Sequence, residues 1–502
     1  MSTAADSGPD WRRLHPRTVV VTALVVAGVA ASAAVPVTVA LAGPIGYARA
    51  IGWVLAGAAL LIGCAAVGDH VRWRRTRYRV GAERVDLHTG LLLVKRRSLA
   101  RERIRSVDLT AHLLLRLLGL VTVRIGTGEH TGGDSTLELD PVSRAEGERL
   151  RRDLLDRGAT AARGSHRDGE LATLDLRWIR YAPVSFVAPA LAGAAVGGVM
   201  QVSDWVGAQG EVIDWVTDRF RDTPLVWAIA VLALAALVAG VVGALGLWIE
   251  MWWNYRLERE PGGTLRVRRG LLTARSLSVE ERRLRGVDLV EPLGVRLLGA
   301  ARVDAITTGL ATDEETRGAE HDALLPVAPR ALADTIAAEV LRETVTPTGA
   351  PLRAHPRAAR GRRLRRALVV TLVPVLVQAV LGVLLTPVLL WTALGCAVVS
   401  VPVGVLLALD AYRSLGHTLS GDYLVTRSGS VRRSTAALQR AGVIGWTVKQ
   451  SFFQRRAGLI SVTATTAAGG GAYTAHDTDA SEGLAFASDA VPGLLEPFLE
   501  RG

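Results

Sequence analysis

Val107-Asp108-Leu109-Thr110-Ala111-His112-Leu113-Leu114-Leu115-Arg116-Leu117-Leu118-Gly119 is one of two stretches that decide the fold. The other is Val287-Asp288-Leu289-Val290-Glu291-Pro292-Leu293-Gly294-Val295-Arg296-Leu297-Leu298-Gly299. Each opens on Val-Asp-Leu and closes, twelve residues after the valine, on the glycine of Arg-Leu-Leu-Gly. The agreement continues upstream. Tyr78-Arg79-Val80 answers to Tyr255-Arg256-Leu257, Gly90-Leu91-Leu92 to Gly270-Leu271-Leu272, and Ser98-Leu99 to Ser276-Leu277. Five matches in one order over about fifty residues mark an internal duplication. A third, weaker copy keeps Gly421-Asp422-Tyr423-Leu424-Val425, Ser434-Thr435 and Arg455-Arg456-Ala457-Gly458. Trp446 stands twelve residues before Gly458, where the other copies have valine.

Within a copy the pattern is β-rich. Short runs at 78–80, 84–88, 91–94, 104–109 and 121–125 are bounded by Gly, Glu or Arg. Gly90, Gly270 and Gly429 are expected to close hairpins. Each copy then ends in a helical stretch: after Asp140-Pro141, after Pro329, and over 480–499.

The copies are separated by apolar blocks at 19–42, 51–68, 183–202, 225–249 and 367–409. A crossing takes about 20 apolar residues. The last block is long enough for two, with a turn expected around Thr386, Pro387 and Trp391. Six transmembrane helices in three hairpins follow. None of these blocks carries Asp, Glu, Lys, Arg or His, and Gln378 is the one amide deep in the third pair. Transport pathways need ionisable groups inside the membrane, so a sole conduit is disfavoured. Gly193 and Gly197 are spaced for close helix contact, but an ordinary Gly/Ala-rich membrane helix is the favoured reading.

Charge sets the orientation. Arg12, Arg13 and Arg17 precede the first block, and Arg72, Arg74, Arg75 and Arg77 follow the second. Arg353, Arg357, Arg360, Arg362, Arg363, Arg365 and Arg366 precede the third pair. The 203–223 loop is instead acidic, with Asp204, Glu211, Asp214, Asp218 and Asp222. Basic flanks stay in the cytoplasm, so both termini and all three polar domains are expected there, in a multi-pass protein of the cell membrane. Trp53, Trp73, Trp178, Trp248, Trp252 and Trp253 fall near block ends, where an aromatic belt is expected. The polar segment 1–17 before the first block reads as part of an uncleaved anchor.

Composition fits this segregation. Hydrophobic residues are 49%, charged residues 21%, and the net charge is +12, carried almost wholly by Arg because Lys95 and Lys449 are the only lysines. Cys64 and Cys396 both lie in apolar blocks and allow neither a disulfide framework nor a Cys/His metal set.

The resulting division is an N-terminal tail and hairpin over 1–71, a first domain over 72–160, a linker and hairpin over 161–252, and a second domain over 253–345. A basic linker and hairpin over 346–411 and a divergent third domain over 412–502 complete it. This arrangement, with its Tyr-Arg start, Gly-Leu-Leu hairpin, Val-Asp-Leu strand and Arg-Leu-Leu-Gly turn, resembles the bacterial pleckstrin-homology (PH) domain membrane proteins, and among them the YdbT-like group. His15-Pro16-Arg17 and His355-Pro356-Arg357 are similar to that group's lead-in to a membrane helix. The resemblance implies an α+β membrane protein in which each domain is a PH-like bent β-barrel of seven strands with a C-terminal helix. It implies no catalytic activity. The third copy's departures put its ligand competence in doubt.

The residues themselves carry no catalytic spacing: no His-Glu-x-x-His, Gly-x-Ser-x-Gly or Walker loop is present. Gly126-Thr127-Gly128 is too short for a dinucleotide fingerprint, and His88, His112 and His130 have no counterparts in the second copy. The chain is therefore expected not to be an enzyme and to need no cofactor or metal. The site candidates are basic. Arg75, Arg77 and Arg79 would share one face of a strand. With Arg72, Arg74, Arg256, Arg362, Arg363, Arg365 and Arg366 they are candidates for lipid head groups, each juxtamembrane Arg contributing about 1 kcal/mol toward an anionic leaflet. The expected role is a binding or scaffolding module for anionic inner-leaflet lipid, a membrane-protein partner or a second copy, with envelope stress protection as a candidate process. The alternative is an accessory subunit of a transport or export complex. Nucleic acid is not an expected partner, because topology already accounts for the charge and exposed aromatics for stacking are lacking.

Overall fold

A computed structural model describes residues 11–81, 83–90, 95–104, 106–126, 136–155, 169–184, 187–205, 207–308 and 322–495. Leu91, Leu92, Thr127, Gly128 and His130, named above, lie outside them. The chain divides into two compact units, 1–281 and 282–502.

In the first unit, strand β1 (Arg12–Arg13) leads into helices α1 (Thr18–Ile45) and α2 (Tyr47–Arg75), which pack together across a break at Gly46. Strands β2 (Arg77–Val80), β3 (Arg84–Thr89), β4 (Lys95–Ala100) and β5 (Ser106–Ala111) follow, then the short helix α3 (Leu113–Leu117). Strands β6 (Leu120–Gly126) and β7 (Thr136–Ser143) and helix α4 (Arg144–Leu155) complete the first repeat. Next come β8 (Gly169–Thr173), α5 (Val187–Trp205), α6 (Gln209–Phe220), α7 (Leu225–Trp252), β9 (Arg256–Glu260), β10 (Thr264–Arg269) and β11 (Ala274–Glu280).

The second unit opens with β12 (Leu284–Pro292), α8 (Leu293–Leu297), β13 (Ala300–Thr307), β14 (Ala323–Pro329) and α9 (Arg330–Leu341). Helices α10 (Arg357–Leu384) and α11 (Pro387–Arg413) are joined at Thr386, whose hydroxyl accepts from the Val388 amide. The third repeat is β15 (Gly416–Ser420), β16 (Tyr423–Ser428), β17 (Arg432–Gln439), β18 (Val443–Lys449), α12 (Phe452–Arg455), β19 (Leu459–Thr466), β20 (Ala472–Asp479) and α13 (Ala480–Ala490).

The fold is mixed α+β with antiparallel sheets, but among the described residues no repeat closes into a barrel. The first unit holds a sheet β1-β2-β3-β4 and a seven-stranded sheet β7-β6-β5-β11-β10-β9-β8. The second holds β14-β13-β12-β17-β16-β15 and a three-stranded sheet β18-β19-β20. Hydrogen bonding thus runs between repeats. Leu109 of the first repeat lies opposite Ser276 of the second, and Leu289 of the second lies opposite Thr435 of the third. The free flank of each Val-Asp-Leu strand is satisfied by the next repeat, so its amides need no barrel closure. Cutting the chain at 72–160 or 253–345 would sever these ladders.

The first repeat keeps its own core. Tyr78, Val85 and Leu87 pack against Val107, Val123, Ile125 and Leu139, with Leu150 and Leu154 of α4 laid over them. One small residue seats the helix. A Cβ on Gly147 would lie 2.6 Å from Val121 Cγ2. On α13 a Cβ on Gly483 would crowd the Thr478 hydroxyl and lie 3.0 Å from Ile460 Cδ1, and Ala333, fully buried, holds this place on α9. Each short helix ends on a left-handed glycine, Gly119, Gly299 or Gly458, at φ 69°, 67° and 65°. There a side chain would be strained, which is why the Arg-x-x-Gly frame recurs in all three repeats.

Strand registers refine the repeat alignment. Ser98 lies opposite Asp86 as Ser278 lies opposite Arg266, so Ser98 corresponds to Ser278, two residues beyond Ser276. Likewise Tyr78, opposite Leu87, takes the place of Leu257, opposite Val267. In the third repeat, Trp446 does occupy the valine place: Val448 faces Val462 as Leu289 faces Val303.

Among the described residues, five helices are long and apolar enough to cross a membrane: α1, α2, α7, α10 and α11. The expected sixth, α5, has 19 residues and qualifies only together with the segment Leu176–Val184, bent 66° from it. Among the described residues, nothing lies within 4 Å of where a Cβ on Gly193 or Gly197 of α5 would stand; the close approach is made by Gly240 of α7 against Ala188 and Ala192. Between α10 and α11, Gln378 donates to the Thr392 hydroxyl at 3.0 Å. Of the belt tryptophans, Trp178, Trp248 and Trp252 are buried; Trp178 and Trp252 pack edge-on against Tyr255 where α7 meets β9.

Candidate functional site

The apolar run of α10 begins at Ala367, directly after Arg365-Arg366, and that of α11 ends at Leu409, directly before Asp410. A pocket of about 1120 Å³ straddles this boundary in the second unit. Its apolar wall includes Ala367, Val370 and Leu407. Its polar wall comes from the third repeat, including Lys449, Gln454 and Asp477. Arg362, Arg363 and Arg366 enter from α10.

Asp477 anchors the polar wall. It is almost wholly buried and sits in left-handed backbone at φ 56°. Arg362 reaches its carboxylate at 2.6 Å, Arg363 at 3.5 Å, and Gln454 donates at 2.9 Å. Gln454 also donates to Ser461 and completes a capping box with Ser451 at the start of α12. Two arginines are therefore fixed by one acid. Arg366 and Lys449 have no acidic partner among the described residues and leave the pocket cationic. His476, which also lines it, is held below its usual value, first by burial and then by Arg363.

Behind Asp477 lies a histidine pair. His417 Nδ1 and His355 Nε2 are 3.0 Å apart, and His355 Nδ1 is 3.3 Å from the Asp477 carbonyl. His417 is wholly buried against Phe486. Burial, with the charge of His355, pushes His417 down to about 4.

The short helix beside the pocket exposes its apolar side chains: Phe452 is 58% and Phe453 65% exposed. Leu117 of α3 and Leu297 of α8 are exposed likewise. These helices lie by the membrane-helix ends within their own units. Arg17, just before α1, donates to the Leu118 carbonyl at 2.9 Å, and Arg296 pairs with Asp410 of α11 at 2.7 Å.

The other candidate arginines are dispersed. Arg75 does not share a strand face with Arg77 and Arg79, because α2 continues past its apolar run and carries Arg72, Arg74 and Arg75 in its last turn. Arg72 pairs with Asp69 at 2.9 Å. Arg79 is held by Asp86 at 2.9 Å and stacks 5.1 Å over Trp11, while Arg77 is exposed. Arg365 is exposed and bends back to the Gly361 carbonyl. Arg256 borders a second pocket of about 810 Å³ in the first unit, with Arg116, Arg144 and Arg268. There Arg256 faces Glu170 and Glu258, each at 3.4 Å. Only Arg362, Arg363 and Arg366 converge. Asp477, Gln454 and His476 lie in the copy with the weakest motif. Lys449, one of two lysines in the chain, was its one visible signal.

No group of three or more His, Cys, Asp or Glu that could hold a metal occurs among the described residues. A family model described as bacterial PH domain matches 21–158, 196–344 and 368–487. Each match begins inside a membrane helix or α5 and reaches the helix that closes a repeat. The UPF0699 transmembrane protein YdbT of Bacillus subtilis (strain 168) is 22% identical over 413 residues, covering 78% of this chain and 80% of that protein. No solved structure matches.

Proposed function

This chain belongs to the bacterial PH domain family and is a YdbT-like multi-pass membrane protein, and we propose that it is a non-catalytic module of the cell membrane that holds an anionic lipid by its head group. The observation that carries this reading is the pocket that crosses the polar boundary of α10 and α11. A lipid chain fits along Ala367, Val370 and Leu407, and a phosphate fits beside Arg366 and Lys449. Arginine forks match phosphate oxygens and lose little on leaving water. The PH-like domains then face the cytoplasm, as the basic flanks demand. The exposed Phe452 and Phe453 dip into the interface and open the pocket toward the bilayer.

The test uses the full chain in nanodiscs of phosphatidylcholine with or without phosphatidylglycerol, with bound lipid counted by native mass spectrometry. Retention of phosphatidylglycerol, lost in Arg366→Gln/Lys449→Gln and kept in Arg72→Gln/Arg74→Gln, is the expected result. Competition by inorganic phosphate at millimolar concentration identifies a free-anion site instead. Equal retention of both lipids by every variant would overturn the reading.

A further inference from the structure

At each internal junction a repeat receives a strand from the one after it. In the first unit β5 takes β11; in the second β12 takes β17. The register is the same, since Ser276 and Thr435 each stand six residues beyond their turn glycines, Gly270 and Gly429. Among the described residues, two strands stand without the partner this scheme provides. β4 corresponds to β11 and β17 but is the outer strand of its sheet. β18 corresponds to β5 and β12 and is also outermost.

The side chains repeat the pattern. Val448 on β18 is 42% exposed, whereas its counterparts Leu109 and Leu289 are 6% and 0% exposed. Ser98 on β4 is exposed, whereas its counterparts Ser278 and Ala437 are fully buried. Both positions are covered at the junction within each unit and open on β4 and β18.

We infer that β18 of one molecule pairs with β4 of a second copy of this chain. The internal ladder sets the register. Val287 faces Ala437 inside the chain, so Trp446 faces Ser98 across the contact, and Val448 faces Arg96. A second copy is the occupant because each molecule carries one edge of each kind, in the same order of repeats that already pairs twice. Exposed antiparallel edges bind by continuing the ladder. The contact is head-to-tail, so it builds a ring where the rotation closes and a row where it does not.

The experiment places Trp446→Cys in one tagged full-length chain and Ser98→Cys in another, both lacking Cys64 and Cys396. The two are co-expressed and oxidised in native membranes. The neighbouring pair Thr447→Cys with Arg97→Cys is run in parallel, because one of two adjacent pairs suits disulfide geometry better. A disulfide-linked species carrying both tags is expected, and Val448→Glu should abolish it. Val287→Cys/Ala437→Cys within one chain should still link in the Val448→Glu background, showing that the fold is kept. No mixed-tag species, linkage only within single chains when both cysteines share one chain, or linkage to a different protein would each overturn the inference.

Discussion

Arg151 on α4 of the first repeat forks onto the carboxylate of Glu260 on β9 of the second, with N–O distances of 2.7 and 3.1 Å. Arg266 reaches the same carboxylate at 3.1 Å and Glu148 at 2.6 Å. Burial opposes ionisation of Glu260, but Arg151 and Arg266 outweigh it and hold the carboxyl below its usual value. Four charges thus lock one repeat's closing helix onto the next repeat's sheet. Glu260→Gln should destabilise the first unit by about 2–4 kcal/mol, because two arginines lose their shared counter-charge. Replacing Arg151 and Glu260 together by apolar residues should cost less than the sum. Hydrogen exchange of β9 and β10 in the detergent-solubilised full chain measures both.

Gly147 and Gly483 seat their helices by lacking a side chain. Gly147→Val should cost about 1–3 kcal/mol through overpacking against Val121. Gly147→Ala should cost less, as Ala333 is tolerated at the matching place on α9. Thermal unfolding of the purified chain ranks the three forms.

The pair His355–His417 makes the second unit acid-sensitive. His417 titrates near 4 when folded and near 6.5 when free, so the unfolded chain takes up the proton first. The stabilisation is complete above about pH 6.5 and is lost as pH falls through 4. A shift of this size corresponds to about 3 kcal/mol. His417→Gln should flatten the profile between those limits, measured as unfolding midpoint against pH.

Asp288 behaves oppositely. Burial pushes its carboxyl up to about 6, against a hydrogen bond from Ser434. The folded state holds the proton longer than the unfolded chain, so stability is greatest below about pH 4 and declines as pH rises through 6. Asp288→Asn should therefore gain about 1–3 kcal/mol at pH 7.5 and nothing at pH 4, read from denaturant midpoints at the two pH values.

The repeat, the apolar blocks and the break at Thr386 were legible because each rests on local chemistry: a left-handed glycine, a run of apolar residues, a proline at a helix start. The alignment of Ser98 with Ser276 slipped by two, and a slip of two leaves every side chain on the same face, so alternation cannot detect it. The pairing of Leu109 with Ser276 was invisible for a related reason. An edge joined to another repeat carries the same alternation as one joined to its own. Arg75 was misplaced because a helix that outruns its apolar stretch has no hydropathy signal at its end. The pocket was hidden in the copy whose Val-Asp-Leu motif is lost, since its key acid, Asp477, lies on β20, outside every motif.

The shared ladder between Leu289 and Thr435 bears on how such a gene can lengthen. Tandem duplication of one hairpin and its domain would add one more sealed junction. The unmatched edges of the β4 and β18 kind would stay at one each, however many copies were strung together. A chain built this way can grow or shrink by whole units without acquiring a second unmatched edge of either kind, provided the cut falls between a closing helix and the next hairpin.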